Sequence, residues 1–146
     1  AAQGQDEKGR KTVTPSQAAQ LEKARILVVD DEPRATEMLD RFLTMRGYSV
    51  FTARDGEHAT ALFQKQGAEL VITDYRMPRK DGRALIDELR SVVPELPFIV
   101  VSGSLNIADL SSELRQIGVE VMAKPIDLRN LPAMIQKLLT EHRKEH

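Results

Sequence analysis

Five short runs rich in Val, Ile and Leu recur along the chain, separated by segments with helical periodicity. Apolar runs of this length are typical of parallel strands buried on both faces. Strict alternation of strand and helix predicts an α/β fold, in which right-handed crossovers build a doubly wound parallel sheet with helices on both faces. The predicted strands span residues 25–29, 48–53, 70–73, 97–101 and 119–123, the second with the alternating pattern of an edge strand.

Cap and turn residues delimit five predicted helices. The first begins at Pro33 and ends before Gly47, and the second runs from Asp55-Gly56 to Gly67. The last helix begins after Asp127 or after Asn130, and the sequence leaves both open. The predicted apolar faces are Ala35, Met38, Leu39, Phe42 and Leu43; Ala59, Leu62 and Phe63; Leu85, Ile86, Leu89 and Val92; Ile107, Leu110 and Leu114; and Ile135, Leu138 and Leu139.

Polar residues stand where four of the predicted strands end. Ligands of open parallel sheets bind outside the carboxyl ends of the strands, so these side chains are expected to meet in one crevice. Three carboxylates, a hydroxyl and an ammonium group suit a cation with oxygen ligands next to a phosphoryl group. The residues are Asp30, Asp31, Asp74, Ser102 and Lys124.

Each of these residues also has a simpler interpretation. Asp31 or Glu32 could cap the helix that begins at Pro33. Asp74 could begin a turn, Ser102 could cap a helix, and Lys124 could be a solvated surface residue. For the acidic residues we prefer the cation interpretation, because Mg²⁺ removes the repulsion between crowded carboxylates and keeps several waters.

The four motifs, Asp30-Asp31, Asp74 with Met77-Pro78, Ser102 and Lys124-Pro125, occur in one order, each at a strand end. In this the chain resembles the receiver domains of response regulators in bacterial two-component signalling, from about residue 25 to residue 141. The resemblance implies a flavodoxin-like sheet with strand order 2-1-3-4-5. It also implies that the Lys124–Pro125 peptide bond is cis.

The resemblance further implies a function. Asp74 would accept a phosphoryl group from a histidine kinase or a histidine phosphotransfer protein. Mg²⁺ would be held by Asp30, Asp31, Asp74 and the backbone carbonyl of Arg76. The domain would modify itself and slowly lose the phosphoryl group, changing its partner surface without being a turnover enzyme.

Catalysis and switching would involve Ser102 and Lys124, which would contact the phosphoryl oxygens. The position three residues before the lysine is usually aromatic in this family and moves on activation. Here it is Val121, a departure that puts the usual coupling of Ser102 to an aromatic rotamer in doubt.

Two other function classes are compatible with a doubly wound sheet. A phosphohydrolase of the haloacid dehalogenase type also forms an aspartyl phosphate, but requires a second Asp two residues after the nucleophile, where this chain has Arg76. A flavin-binding module of the flavodoxin type requires a Ser-, Thr- and Gly-rich loop after the first strand. The acidic sequence after Val29 does not provide one.

Composition limits the setting of the domain. The formal net charge is −1, so there is no basic footprint for nucleic acid, and no apolar stretch approaches a membrane span. The chain has no Cys, which fits a reducing compartment, and we expect a cytoplasmic location. Residues 1–22 are predicted to be a polar linker with a possible short helix from Thr14, and residues 23–146 to be the receiver. It would be a stand-alone regulator or the terminal receiver of a hybrid sensor kinase.

Overall fold

The computed structural model describes residues 24–103 and 106–145. The predicted linker and the possible helix from Thr14 lie outside these residues. Five strands alternate with five helices in the described part of the chain. In chain order they are β1 (Arg25–Val29), α1 (Pro33–Met45), β2 (Ser49–Ala53), α2 (Gly56–Gln66), β3 (Leu70–Asp74), α3 (Gly82–Arg90), β4 (Phe98–Ser102), α4 (Ile107–Arg115), β5 (Glu120–Ala123) and α5 (Leu131–Glu145).

The strands form one parallel sheet in the order β2-β1-β3-β4-β5, which confirms the predicted topology. Burial follows position in the sheet. Every residue of β3 and β4 is buried, whereas the edge strands β2 and β5 are mostly half-buried. Helices cover both faces of the central strands, and this explains why the sequences of these strands are continuous apolar runs.

The two faces of the sheet carry two separate apolar layers. Successive strand residues point to opposite faces, so Ile26 and Val28 lie on one side and Leu27 and Val29 on the other. Helices α1 and α5 cover the first side, packing through residues such as Leu39 and Ile135. Helices α2, α3 and α4 cover the second side, and their buried residues include Ala59, Phe63, Leu85, Leu89 and Leu114.

The structure settles the start of the last helix. Helix α5 begins at Leu131, so Asn130 precedes it and Pro132 is its second residue. A proline in the first turn loses no helical hydrogen bond, because the first backbone N–H groups of a helix have no partner within it. Of the two starts left open, the one after Asn130 is correct.

Two of the predicted core residues are exposed. Val92 lies beyond the end of α3 and is 61 % exposed, because the helix ends at Arg90 before its periodicity would bring Val92 to the sheet. Met38 is 44 % exposed on α1, where Leu39 and Leu43 are the buried residues. The buried face of α1 is therefore narrower than the apolar face predicted from the sequence.

Candidate functional site

Backbone hydrogen bonds continue past the strand ends and place the polar residues. The Asp30 N–H donates to the Ala53 carbonyl at 3.1 Å, and the Lys124 N–H donates to the Ser102 carbonyl at 3.0 Å. Asp74 is the last residue of β3, paired in register with Val101. The carboxyl ends of β1, β3, β4 and β5 are thus aligned, as the parallel sheet predicted.

Three carboxylates meet at this edge. Asp30, Asp31 and Asp74 each offer an oxygen, and these oxygens lie within 4.8 Å of one another. Asp30 and Asp74 are buried, at 7 % and 8 % exposure, whereas Asp31 is exposed. The acidic cluster therefore combines two buried carboxylates, Asp30 and Asp74, with the solvent-exposed Asp31.

Helix capping does not explain the acidic pair. Glu32 is the N-cap residue of α1, but its side chain makes no capping hydrogen bond to any described residue. Instead the Asp30 carboxylate accepts a hydrogen bond from the Glu32 N–H at 2.9 Å. This contact holds the Asp30 carboxylate in place, and it is not a cap of α1.

Lys124 faces the carboxylates from the edge of the sheet. Its Nζ lies 3.2 Å from Asp74 Oδ2 and 3.7 Å from Asp30 Oδ2. The Lys124–Pro125 bond is cis, as the resemblance implied. The side chain is 39 % exposed, so Lys124 is neither a free surface residue nor a buried charge.

Charge and burial act together on two pKa values. Burial, with the repulsion of Asp74 and Asp31, raises the pKa of Asp30 above 3.8, against the lowering effects of the Glu32 N–H and Lys124. For Lys124, burial lowers the pKa, but the hydrogen bond to Asp74 and the nearby acidic charges outweigh it and leave the pKa above 10.5. Three acidic groups thus face one ammonium group, an imbalance that favours a bound cation.

The donor set fits a hard divalent cation. All the candidate ligand atoms are oxygens, and no sulfur or imidazole is among the acidic cluster. Mg²⁺ uses one or two carboxylates and retains several waters, and the exposed side near Asp31 leaves room for them. Arg76, the further ligand suggested by resemblance, is the second residue after Asp74, and its side chain is exposed. The role of its carbonyl stays a prediction.

Ser102 ends β4 and is 3 % exposed. The N-cap residue of α4 is Asn106, so the capping interpretation of Ser102 is wrong. The backbone hydrogen bond from the Lys124 N–H to the Ser102 carbonyl holds these two residues next to each other beside Asp74. Val121 lies on β5, half-buried against the apolar layer formed with α2, α3 and α4.

An apolar cavity of about 490 Å³ adjoins the acidic cluster and was not foreseen from the sequence. It opens between α1 and the segment after β5, and the exposed face of Met38 forms part of its wall. Its signal in the sequence is the wide apolar face of α1, for which helical periodicity predicts a core position. The apolar part of the lining is Val28, Val29, Ala35, Met38, Leu39, Ile72, Val101, Pro125 and Ile126.

A doubly wound parallel sheet with three carboxylates and a lysine at its carboxyl edge defines a class of α/β domain that suits phosphoryl and cation chemistry. Residues 26–136 match the family model of the response regulator receiver domain. The chain belongs to this family.

Individual relatives agree with this assignment. The chain is 37 % identical over 120 residues to "Probable transcriptional regulator ycf27" of Cyanophora paradoxa, covering 82 % of this chain and 50 % of that protein. NtrX from Brucella abortus superposes with a TM-score of 0.77 at 31 % identity, covering 84 % of this chain and 28 % of NtrX.

A third relative comes from a different protein context. The signal receiver domain of a signal transduction histidine kinase from Syntrophus aciditrophicus has a TM-score of 0.71 at 27 % identity, covering 81 % of this chain and 91 % of that one. The chain spans about half the length of the ycf27 protein it matches. Receivers similar to this chain therefore occur within longer regulators and kinases.

Proposed function

We propose that this chain is a phosphoacceptor signalling domain that receives a phosphoryl group on Asp74 in a Mg²⁺-dependent reaction. The observation that carries the proposal is the meeting of three acidic side chains within 4.8 Å, with the Lys124 ammonium 3.2 Å from Asp74. The donor is a histidine kinase or a histidine phosphotransfer protein. The receiver occupies residues 23–146.

Asp74 acts as the nucleophile. One carboxylate oxygen forms a bond to phosphorus while the bond from phosphorus to the donor imidazole nitrogen breaks, and the electron pair of that bond stays on the nitrogen. The product is an acyl phosphate on Asp74. Such transfers depend on positioning and on neutralising charge, and the aligned strand ends supply the positioning.

Three other groups assist the transfer. The Lys124 ammonium group, which pairs with Asp74 before the reaction, pairs with a phosphoryl oxygen as the new bond forms. Ser102 donates a hydrogen bond from its hydroxyl to another phosphoryl oxygen. Asp30, Asp31, Asp74 and the Arg76 carbonyl would hold Mg²⁺, which when bound would offset negative charge on the phosphoryl group.

Membership of the receiver family favours this acceptor role over the phosphohydrolase alternative. We propose that the domain slowly hydrolyses its own acyl phosphate and works in the cytoplasm without contacting nucleic acid or membrane. No helix among the described residues has both the length and the apolar character needed to cross a bilayer. A stand-alone regulator and the receiver of a hybrid kinase both remain consistent with the relatives.

The test of the nucleophile is a single substitution. Wild type, Asp74→Asn and the control Asp109→Asn, an exposed carboxylate on α4, are incubated with Mg²⁺ and acetyl phosphate. Intact-mass analysis is expected to show one phosphoryl group on wild type and on the control, and none on Asp74→Asn. Label on Asp74→Asn at the wild-type level would overturn the proposal.

A further inference from the structure

The loop between β3 and α3, residues 75–81, has a strained backbone next to the acidic cluster. Arg79 has a φ of 68°, in the left-handed region that is uncommon for residues other than glycine. The Lys80 N–H donates to the Pro78 carbonyl at 2.7 Å, which closes a tight turn around Arg79. A backbone strained in this way persists only where surrounding contacts hold it.

The side chain of Lys80 provides such contacts. Its Nζ donates to the Thr60 hydroxyl of α2 at 3.2 Å and to the Glu88 carboxylate of α3. The Lys80 side chain is only 20 % exposed. Its stem covers Gly56, where an added Cβ would lie 2.8 Å from the Lys80 Cβ. One side chain thus joins the loop to two helices.

The side chain of Arg79 also contacts a helix residue, but this contact is weaker than those of Lys80. Its guanidinium lies 3.4 Å from Asp55 Oδ2, but the Arg79 side chain is 66 % exposed. Ion pairs of this kind contribute little, because water screens them and a long side chain loses freedom. The half-buried contacts of Lys80 are therefore the stronger side-chain anchor of the turn, in addition to the buried Met77 and the hydrogen bond from the Gly82 N–H to the Tyr75 carbonyl at 2.7 Å.

We infer that Lys80 is a positioning residue for the cation site. By anchoring residues 75–81 to α2 and α3, it keeps the Arg76 backbone in place beside Asp74. The inference rests on the proposed function, because it concerns the Arg76 carbonyl as a Mg²⁺ ligand. Lys80 itself contacts neither the cation nor the phosphoryl group.

Charge and positioning predict opposite effects when Lys80 is replaced. Removing a positive charge near an acidic site strengthens cation binding if electrostatics alone decides the outcome. Losing the anchor weakens cation binding, because the loop must be ordered each time Mg²⁺ binds. The sign of the change in Mg²⁺ affinity therefore separates the two causes.

The test compares three variants with wild type. Lys80→Met keeps the apolar stem over Gly56 and removes the ammonium group. Thr60→Val removes the hydroxyl that Lys80 donates to, without changing the charge. The matched control is Lys65→Met, which removes an exposed positive charge at the far end of α2.

Two measurements are made on each protein. Amide hydrogen exchange of residues 76–81 is recorded without Mg²⁺, and Mg²⁺ affinity is measured by titration calorimetry. In Lys80→Met we expect exchange to be about tenfold faster and Mg²⁺ affinity about tenfold lower, because the hydrogen bonds to both Thr60 and Glu88 are lost and a charge-assisted hydrogen bond alone contributes at least that factor. Thr60→Val should change both in the same direction but less, and Lys65→Met should leave exchange unchanged.

Different failures have different meanings. Unchanged exchange in Lys80→Met shows that Lys80 does not anchor the loop, and faster exchange with unchanged or stronger Mg²⁺ binding shows that the anchor does not serve the cation site. Either result overturns the inference while the proposed function stands. If wild type binds no Mg²⁺, the proposed function fails and the inference fails with it.

Discussion

Replacing Asp31 with alanine is expected to reverse the order of stability between wild type and variant when Mg²⁺ is added. Asp31 is the most exposed member of the acidic cluster, and its oxygen lies within 4.8 Å of those of Asp30 and Asp74. Asp30 is a poorer probe, because it also accepts the Glu32 N–H and pairs with Lys124.

The size of the effect without Mg²⁺ follows from the geometry. Two unit charges at this separation repel by about 0.9 kcal/mol in water. Asp31 has two acidic neighbours, and attraction to Lys124 offsets part of their repulsion, so a net gain of about 1 kcal/mol is expected for Asp31→Ala. For a domain of this size that raises the melting temperature by about 3 °C. Salt should reduce the gain because Asp31 is exposed.

The effect with Mg²⁺ has the opposite sign. At ten times its dissociation constant, a ligand that binds only the folded protein adds about 1.4 kcal/mol to stability. Wild type is expected to gain this amount and Asp31→Ala very little. Wild type is then the more stable protein in Mg²⁺, and the variant is the more stable one without it.

Thermal melts of both proteins in EDTA and in Mg²⁺ test this reversal. The control is Glu37→Ala, which removes an exposed carboxylate of α1 away from the cluster and should follow wild type in both conditions. Equal gains from Mg²⁺ in wild type and Asp31→Ala would show that Asp31 is not a ligand. A variant less stable than wild type in EDTA would refute the repulsion argument.

Three further predictions concern the surroundings of the site. Because the folded-state pKa of Lys124 is raised, its stabilising contribution is fully present below pH 10.5 and lost as the pH rises through the higher folded value; urea melts of wild type and Lys124→Met should therefore converge at alkaline pH. Gly82→Ala should cost about 1–3 kcal/mol in urea melts, since its Cβ would lie 3.1 Å from the Tyr75 Cα, whereas in Gly103→Ala the nearest atom would be at 3.8 Å and the cost should be small. On adding Mg²⁺ and beryllofluoride, amide shifts should be large at the start of α4 and small at Val121, because a β-branched side chain has few rotamers; large shifts across β5 together with dimer formation would contradict this.

Much of the fold could be predicted because pattern and topology are tightly linked here. Central strands flanked by helices on both faces must be apolar throughout, so their runs were visible in the sequence. The acidic cluster could be predicted in the same way, because parallel strands bring Asp30 and Asp74 to one edge of the sheet. Helix ends were harder to place. The periodicity that included Val92 continues past Arg90, where the structured helix stops.

The features that escaped sequence analysis depend on contacts between distant segments. Lys80 looks like an ordinary loop lysine, and only the fold brings Thr60 and Glu88 to its ammonium group. The apolar cavity beside the cluster is likewise made by α1 and the segment after β5, which are remote in sequence. Helical periodicity shows which apolar residues share one face of a helix. It does not show whether such a residue, for example Met38, lies in the core or in the wall of an open cavity.

The location of the site follows from the strand order, and its chemistry from the residues placed there. The chain goes from β1 to one neighbour, β2, and later returns on the other side as β3, so the connections leaving β1 and β3 pass to opposite faces of the sheet. A crevice must open at that point, and Asp30 and Asp74 stand at its two sides. Lys124 is the exception, because it follows an edge strand and reaches the crevice past Ser102. A phosphoryl group on Asp74 would compete with Asp74 and Asp30 for Lys124. We therefore expect Lys124, together with Ser102, whose carbonyl accepts the Lys124 N–H, to link the proposed reaction to β5 and α4.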